Sequence, residues 1–144
     1  GKLIILPTGD GMALVFFNSV HAAFKCAVDV GKKCYKSSNI GLRNGLYTGP
    51  VVPVKDINDN PNVSGHGINM AQRCMDAGDN DHILISNGVH MNVSEMDIPG
   101  LKFEDWGSVI VKHGSTVHLH TAYGPGFGRV EFPHWRGTKK AEYK

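Results

Sequence analysis

The chain has 144 residues, the length of one domain. Hydrophobic residues make up 41% and charged residues 19%, which is enough apolar material for a core and too little charge for a disordered chain. The formal net charge of +2 is too small to predict binding to nucleic acid or to an anionic membrane surface. The apolar runs are far shorter than the roughly 18 residues of a membrane span, and the three cysteines lie far apart. We therefore predict no membrane segment in this chain, reduced thiols and a cytoplasmic location.

The N-terminal part of the sequence predicts a β-hairpin followed by a helix. Apolar runs at Leu3–Leu6 and Met12–Phe17 flank a turn-rich Pro-Thr-Gly-Asp-Gly segment. Asn18 or Ser19 can cap a helix whose apolar residues recur at helical spacing over Val20–Tyr35.

The middle of the sequence predicts a strand, a loop and a second helix. The strand runs from Ile40 to about Val54 with a break near Gly49, and a polar loop follows over residues 56–62. Apolar residues on one face predict a helix over Gly67–Asp76 that ends near Gly78.

The rest of the sequence predicts three more strands and a short helix. The strands are His82–Ile85, Val109–Lys112 and Val117–Tyr123, and the helix runs from Asn87 to about Val93. The last two strands read as a hairpin, and residues 124–144 read as an irregular extension that packs only in part. This order predicts an α+β domain with helices on one face of a sheet.

Asp10 lies between two glycines at the tip of the first predicted hairpin. A carboxylate in this setting can point outward, as a ligand of a hard metal ion must. An Asp-Gly turn, chosen for its positive φ, explains the same residues. The segment Thr8-Gly9-Asp10-Gly11 alone does not decide between a metal ligand and a turn residue.

Asn69 and Arg73 are four residues apart on the second predicted helix and so share one face. An amide beside a guanidinium suits an anionic, oxygen-rich ligand such as a sugar phosphate. The alternative is that Arg73 pairs with Asp76 on the solvent face.

The sequence has eight histidines, of which His118 and His120 alternate on one face of a predicted strand. No acidic or cysteine partner lies at ligand spacing in the sequence. We therefore interpret these histidines as ordinary strand residues, with His66 alone near the predicted site.

Five blocks in the same order resemble the catalytic domain of class III nucleotidyl cyclases. They are the hairpin at residues 6–12, an R-x-G-L-x-x-G-x-V strand at 42–51, a G-x-x-V-N-x-A-x-R-like helix start at 65–73, a strand at 82–86 and a V-K-G-like hairpin at 111–114. The resemblance implies a ferredoxin-like antiparallel sheet with helices packed on it, which lacks its first strand in this chain. It assigns residues 1–123 to the cyclase domain and leaves 124–144 as an extension.

The resemblance also implies an activity, conversion of a nucleoside triphosphate to its 3′,5′-cyclic monophosphate and pyrophosphate with two Mg²⁺ or Mn²⁺ ions. Asp10 would be one metal ligand, and a second aspartate is expected upstream of residue 1. Asn69 would orient the ribose and Arg73 would stabilise the pentavalent transition state. Arg43 and Lys112 would hold phosphate oxygens.

The substrate base and the assembly follow from the same resemblance. The family reads the base at positions that hold Leu6 and Asn62 here, and Leu6 cannot form a hydrogen bond through its side chain. ATP is the default substrate, with GTP or a pyrimidine triphosphate as alternatives. In the family the metal carboxylate and the Asn/Arg pair come from opposite chains, which implies a head-to-tail homodimer with shared active sites that serves intracellular signalling. A non-catalytic, nucleotide-binding or dimerising module is the alternative that the changed base-reading positions favour.

Overall fold

A computed structural model describes residues 3–8, 11–17, 19–36, 41–49, 52–55, 58, 61–111, 114–133 and 139–140. The helices are α1 (Val20–Lys36), α2 (His66–Asp76) and α3 (Asn87–Val93). The strands are β1 (Leu3–Thr8), β2 (Gly11–Phe16), β3 (Asn44–Leu46), β4 (Val52–Lys55), β5 (Pro61–Ser64), β6 (Ile83–Ser86), β7 (Lys102–Ile110), β8 (Thr116–Gly124), β9 (Phe127–Gly128) and β10 (Lys139–Lys140). Within these ranges, every helix is too short or too polar to traverse a lipid bilayer.

A six-stranded sheet forms the centre of the fold, with the order β10-β7-β8-β6-β3 and β9 paired to the end of β8. β3 runs parallel to β6, and the other pairs are antiparallel. The predicted first hairpin is confirmed, since β1 and β2 pair antiparallel in a sheet of their own. The strand predicted from Ile40 to Val54 is instead two strands in different sheets. β3 lies in the central sheet, whereas β4 pairs with β5, which includes residues 61–62 of the predicted loop.

The central sheet is covered by helices on both faces, so the prediction of helices on one face is wrong. Ile83 and Ile85 of β6 pack in a buried cluster with α1 and α3, whereas Leu84 packs in a second cluster with α2. Successive side chains of a strand point to opposite faces, which places α2 opposite α1 and α3. The reason is that β6 has a parallel neighbour, and a strand of this kind is typically buried on both sides.

The start of α1 is fixed by Ser19, one of the two residues predicted to cap it. The backbone N–H of Ala22 donates a hydrogen bond to Ser19 Oγ over 3.0 Å. The helix then buries Phe24, Ala27 and Val28 against the sheet. The predicted helix over Val20–Tyr35 is therefore confirmed, and it extends one residue further, to Lys36.

Strand β3 packs directly on the backbone of α2, and Gly45 makes this approach possible. A Cβ atom at Gly45 would lie 2.3 Å from the backbone nitrogen of Met75 and 2.5 Å from the carbonyl oxygen of Ala71. Contacts this short do not occur, so a side chain here would push α2 away from the sheet. The glycine of the R-x-G segment thus sets the position of α2.

The segment after residue 123 contributes to the core, although it was predicted as irregular. Phe127 is 1% exposed and belongs to the cluster under α1 and α3. Gly126 and Gly128 have φ values of 78° and 75°, which turn the chain back onto β8. Phe132 packs its ring on Trp106, with 4.8 Å between the ring centroids.

Candidate functional site

Helix α2 carries the two residues that the sequence predicts for ligand binding. Asn69 is exposed and Arg73 is half-buried, and their four-residue spacing places them on one side of the helix. The chain enters the helix through Gly65, whose φ of 136° is a conformation that favours glycine. Gly65 brings no side-chain oxygen to the first turn of the helix, which forms no side-chain cap hydrogen bond.

Arg73 contacts a sulfur atom where the sequence left open an ion pair with Asp76. Its Nη1 lies 3.6 Å from Met70 Sδ. The Asp76 carboxylate is contacted by Gln72 Nε2 at 3.3 Å and by Arg43 Nη2 at 3.8 Å. Among the described residues, the Arg73 guanidinium is therefore not committed to a carboxylate.

Arg43 lies near the other end of α2. Its partner Asp76 is seven residues beyond Asn69, which corresponds to about 10 Å along a helix. The structure thus brings Asn69 and Arg73 together and leaves Arg43 at the C-terminal end. Contact between Arg43 and a phosphate would require exchange of the Asp76 carboxylate for the ligand.

The other predicted site residues are Asp10, Lys112, Leu6 and Asn62. Asp10 and Lys112 lie outside the described residues. Leu6 is part of β1 and pairs with Ala13, while Asn62 is part of β5 and pairs with Val54. β1 and β5 lie in contact, so the strands that carry the two base-reading positions are neighbours.

A cavity of about 260 Å³ opens between α2 and the start of α3. Met70 lines it from α2, Tyr47 from the segment after β3, and Asn87 and His118 from the opposite side. The Tyr47 ring meets the ring of His66 edge-on, with centroids 5.9 Å apart. An aromatic ring and a thioether give this cavity an apolar wall close to the face that carries Arg73.

A second cluster of polar side chains was missed by the sequence. His118 Nε2 lies 2.7 Å from Asp105 Oδ1, and Asp105 pairs directly opposite His120 in the register of β7 and β8. One potential ligand atom of each of the three residues lies within 4.8 Å of the others. The prediction that these histidines lack an acidic partner is therefore wrong. The partner comes from across the hairpin, and β7 was predicted to begin at Val109, after Asp105.

The surroundings of this cluster set its charges. Burial, together with the neighbouring His90 imidazole stacked 3.9 Å away, lowers the pKa of His120 to about 4. Partial burial raises the pKa of Asp105, but hydrogen bonds from the Gly107 N–H and from His118 outweigh it and leave the pKa below its ordinary value. At neutral pH the cluster therefore presents a carboxylate and a neutral His120 imidazole.

The fold is similar to that of a solved nucleotidyl cyclase domain. The crystal structure of the guanylate cyclase domain of RhGC from Catenaria anguillulae, in complex with GTP, matches with a TM-score of 0.68 and 18% sequence identity. The match covers 85% of this chain and 72% of that domain. No protein-family model matches the sequence, and neither does a curated protein. The chain thus has the fold of a class III nucleotidyl cyclase catalytic domain, as its sequence blocks predicted.

Proposed function

We propose that the protein is a nucleotidyl cyclase, which converts a nucleoside triphosphate to its 3′,5′-cyclic monophosphate and pyrophosphate. The observation that carries this proposal is the arrangement of α2 within a cyclase fold. Asn69 is exposed beside Arg73, and within the described part of the chain the Arg73 guanidinium contacts a thioether and no carboxylate. A cationic group without a carboxylate partner is suited to an anionic ligand.

In this mechanism Asn69 and Arg73 of α2 contact different parts of the substrate. The Asn69 amide both donates and accepts hydrogen bonds, which suits it to hold a ribose oxygen in line with the α-phosphorus. Arg73 would form two parallel hydrogen bonds to phosphate oxygens, and these strengthen as charge builds up in the transition state. We assign Lys112 and Arg43 to phosphate oxygens in the ground state, with Arg43 released from Asp76 on binding.

Asp10 is the residue we assign to metal binding. A carboxylate oxygen suits Mg²⁺ or Mn²⁺, and two such ions need a further carboxylate, which the family resemblance expects upstream of residue 1. When bound, the ions would neutralise phosphate charge and make the ribose hydroxyl more acidic.

Base recognition in this proposal depends on β1 and β5, which are in contact. Leu6 offers only apolar contact, while the Asn62 amide offers one donor and one acceptor and can pair with more than one base edge. ATP is the substrate expected from the sequence, and the GTP bound to the similar domain makes GTP the second candidate. We expect weaker base selectivity than two hydrogen-bonding side chains would give.

We also propose that two chains associate head to tail and share their active sites. One face of the β1–β2 hairpin supports this association, since Leu3, Ile5, Met12 and Leu14 are 46%, 56%, 64% and 37% exposed. A contiguous exposed apolar face of this kind is typical of an interaction surface. We propose that this enzyme acts in the cytoplasm and produces a second messenger there.

The proposal is tested by substitutions on α2 in the full-length gene product. Arg73→Ala and Asn69→Ala should each lower kcat by about 10²–10³-fold, the range typical of a lost transition-state donor. Gln72→Ala is the matched control, because Gln72 is exposed on the same helix and, among the described residues, its side chain donates hydrogen bonds to Asp76 alone. Its turnover should stay within about twofold of wild type. Full activity of Arg73→Ala would overturn the assignment.

A non-catalytic nucleotide-binding module is the second candidate. The observation that favours it is Leu6, which removes a hydrogen-bonding side chain from one base-reading position. This candidate predicts that the protein binds nucleoside triphosphates and releases no product. Equilibrium binding measured beside turnover separates the two candidates.

A further inference from the structure

The cluster of Asp105, His118 and His120 has the composition and placement of a metal site. His118 and His120 are two residues apart on β8 and so face the same side of the sheet, and Asp105 lies directly opposite His120 on β7. A tetrahedral ion with bonds of about 2.1 Å needs ligand atoms roughly 3.4 Å apart. The ligand atoms here lie within 4.8 Å of one another, so small side-chain rotations bring them to that spacing.

Neighbouring groups hold two of the three ligands in place. The Gly107 N–H donates to Asp105 Oδ1 over 2.6 Å, at a bulge that interrupts the register of β7 and β8. Asn87 Oδ1 accepts the Nε2 proton of His120 over 3.0 Å, which leaves the lone pair of the neutral imidazole on Nδ1. Hydrogen bonds of this kind orient histidine and carboxylate ligands in metal sites.

The ligand types favour one class of ion. Two imidazole nitrogens and one carboxylate oxygen suit a borderline transition-metal ion, above all Zn²⁺, whereas Mg²⁺ prefers oxygen ligands alone. The side chains of Asp105 and His118 are 56% and 39% exposed, so the ion and a water as fourth ligand can reach them. His118 and Asn87 also line the cavity of about 260 Å³, which gives the ion a second route to His118.

We propose that Asp105, His118 and His120 bind one Zn²⁺-type ion per chain, with Asn87 as a positioning residue. The three ligands are different residues from those of the proposed cyclase chemistry, although His118 borders the same cavity as Met70 of α2. Ile85 pairs with His120 on β6 and packs toward α1 and α3, whereas α2, with Asn69 and Arg73, lies on the other face of the sheet. The bound ion would connect β7 to β8 and, through Asn87, to α3.

The experiment titrates untagged, chelator-treated full-length protein with ZnCl₂ in a calorimeter and repeats the titration with CoCl₂ under visible absorption. We expect one Zn²⁺ per chain and a visible Co²⁺ spectrum of tetrahedral type. Asp105→Asn and His118→Gln should each weaken Zn²⁺ binding at least tenfold, and Asn87→Ala should weaken it by about 10–100-fold. Asp105→Asn keeps a side-chain oxygen that can accept the hydrogen bond from the Gly107 N–H, and residue 105 is exposed. The fold should therefore persist, and circular dichroism checks this.

A control variant makes the result specific. His21→Gln removes an exposed histidine of α1 and should bind Zn²⁺ as wild type does. Absence of stoichiometric Zn²⁺ binding by wild type, or unchanged binding by Asp105→Asn and His118→Gln, would overturn the proposal. Because no step of the test measures nucleotide turnover, its outcome is independent of the proposed cyclase activity.

Discussion

The three cysteines differ in how deeply their thiols are buried. Cys74 on α2 is 0% exposed, and burial raises its pKa to about 12. Cys26 and Cys34 are half-buried on α1, and all three thiols are free. The thiolate is the reactive form, so Cys74 should be inert in the native protein.

This difference predicts two classes of thiol in a titration with Ellman's reagent at pH 8. Cys26 and Cys34 should react in the native state, and the third thiol should react only after denaturant is added. A Cys74→Ala variant should keep the native phase and lose the later one. Three thiols reacting at equal rates in native protein would contradict the burial of Cys74.

His82 predicts a pH dependence of stability. Its Nδ1 accepts from the Asp79 N–H over 2.8 Å and its Nε2 donates to the Glu131 carbonyl over 2.7 Å, so the neutral ring is held from both sides. Burial lowers its pKa, and the charge of Arg129 lowers it further, against the opposing effects of Asp79 and the Glu131 carbonyl. Below pH 6.5 this histidine takes up a proton in the unfolded chain, whereas His82 of the native protein stays neutral. The free energy of unfolding therefore decreases as the pH is lowered.

The test measures urea unfolding of wild type and His82→Gln between pH 7.5 and 5.5. The stability of wild type should be highest above pH 6.5 and should fall as the pH drops through the region between 6.5 and the lowered pKa. The slope for His82→Gln should be smaller by up to about 1.4 kcal/mol per pH unit, the value for one proton. Equal slopes for the two proteins would show that His82 is not the group responsible.

At the level of single residues, the sequence predicted what depends on local spacing. Asn69 and Arg73 share a side of α2 because they are four apart, and Ser19 caps α1 because it precedes the first apolar turn. The partners of Asp105 and Arg43 could not be predicted in this way. They come from elements distant in sequence, and each depends on how strands and helices pack.

At the level of elements, the packing of β3 on α2 predicts the effect of Gly45→Ala. The added methyl group would meet the backbone of Ala71 and Met75, which cannot rotate away, so α2 must shift. We expect a loss of about 3 kcal/mol or more in the free energy of unfolding, at or above the upper end for overpacking. Urea unfolding measures the loss, and reduced turnover should accompany it because α2 carries Asn69 and Arg73.

Gly31→Ala is the matched control for this substitution. Gly31 lies inside α1, and the nearest atom to its added methyl group is the flexible Cδ1 of Ile83 at 3.3 Å. The gain in helix propensity is about 0.5–1 kcal/mol, and we expect a net change smaller than about 1 kcal/mol. A Gly45→Ala protein as stable as Gly31→Ala would contradict the close packing of β3 on α2.

The sequence predicted most elements because their apolar periodicity is strong, as in α1 and β6. It failed where polar residues occupy a strand. Residues 102–108 of β7 include Lys102, Glu104 and Asp105, and these are retained in the strand by pairing with β8 on both sides of a bulge at Trp106. Likewise, the separation of β3 from β4 follows from different pairing partners, which the sequence of one strand does not contain.

At the level of the whole molecule, shared active sites predict complementation between inactive variants. If Asp10 and Asn69 act in the same site from different chains, a hybrid of Asp10→Ala with Asn69→Ala keeps one intact site of two. Random reassociation makes half of the dimers hybrids, so the mixture should recover about a quarter of wild-type turnover. Either variant alone should stay inactive, and a mixture without recovered turnover would contradict sharing between chains.

Sequence blocks predicted the fold as a whole because five of them occur in the right order, and the similarity to a cyclase domain agrees with them. Leu6 and Asn62 depart from both base-reading patterns of the family and do not identify the base, so ATP is expected only as the family's default substrate. The direct test presents ATP, GTP, CTP and UTP separately, with Mn²⁺, to the full-length gene product and separates the products by chromatography. We predict a 3′,5′-cyclic monophosphate and an equal amount of pyrophosphate from at least one purine triphosphate. Binding of the triphosphates without any cyclic product would contradict the assignment.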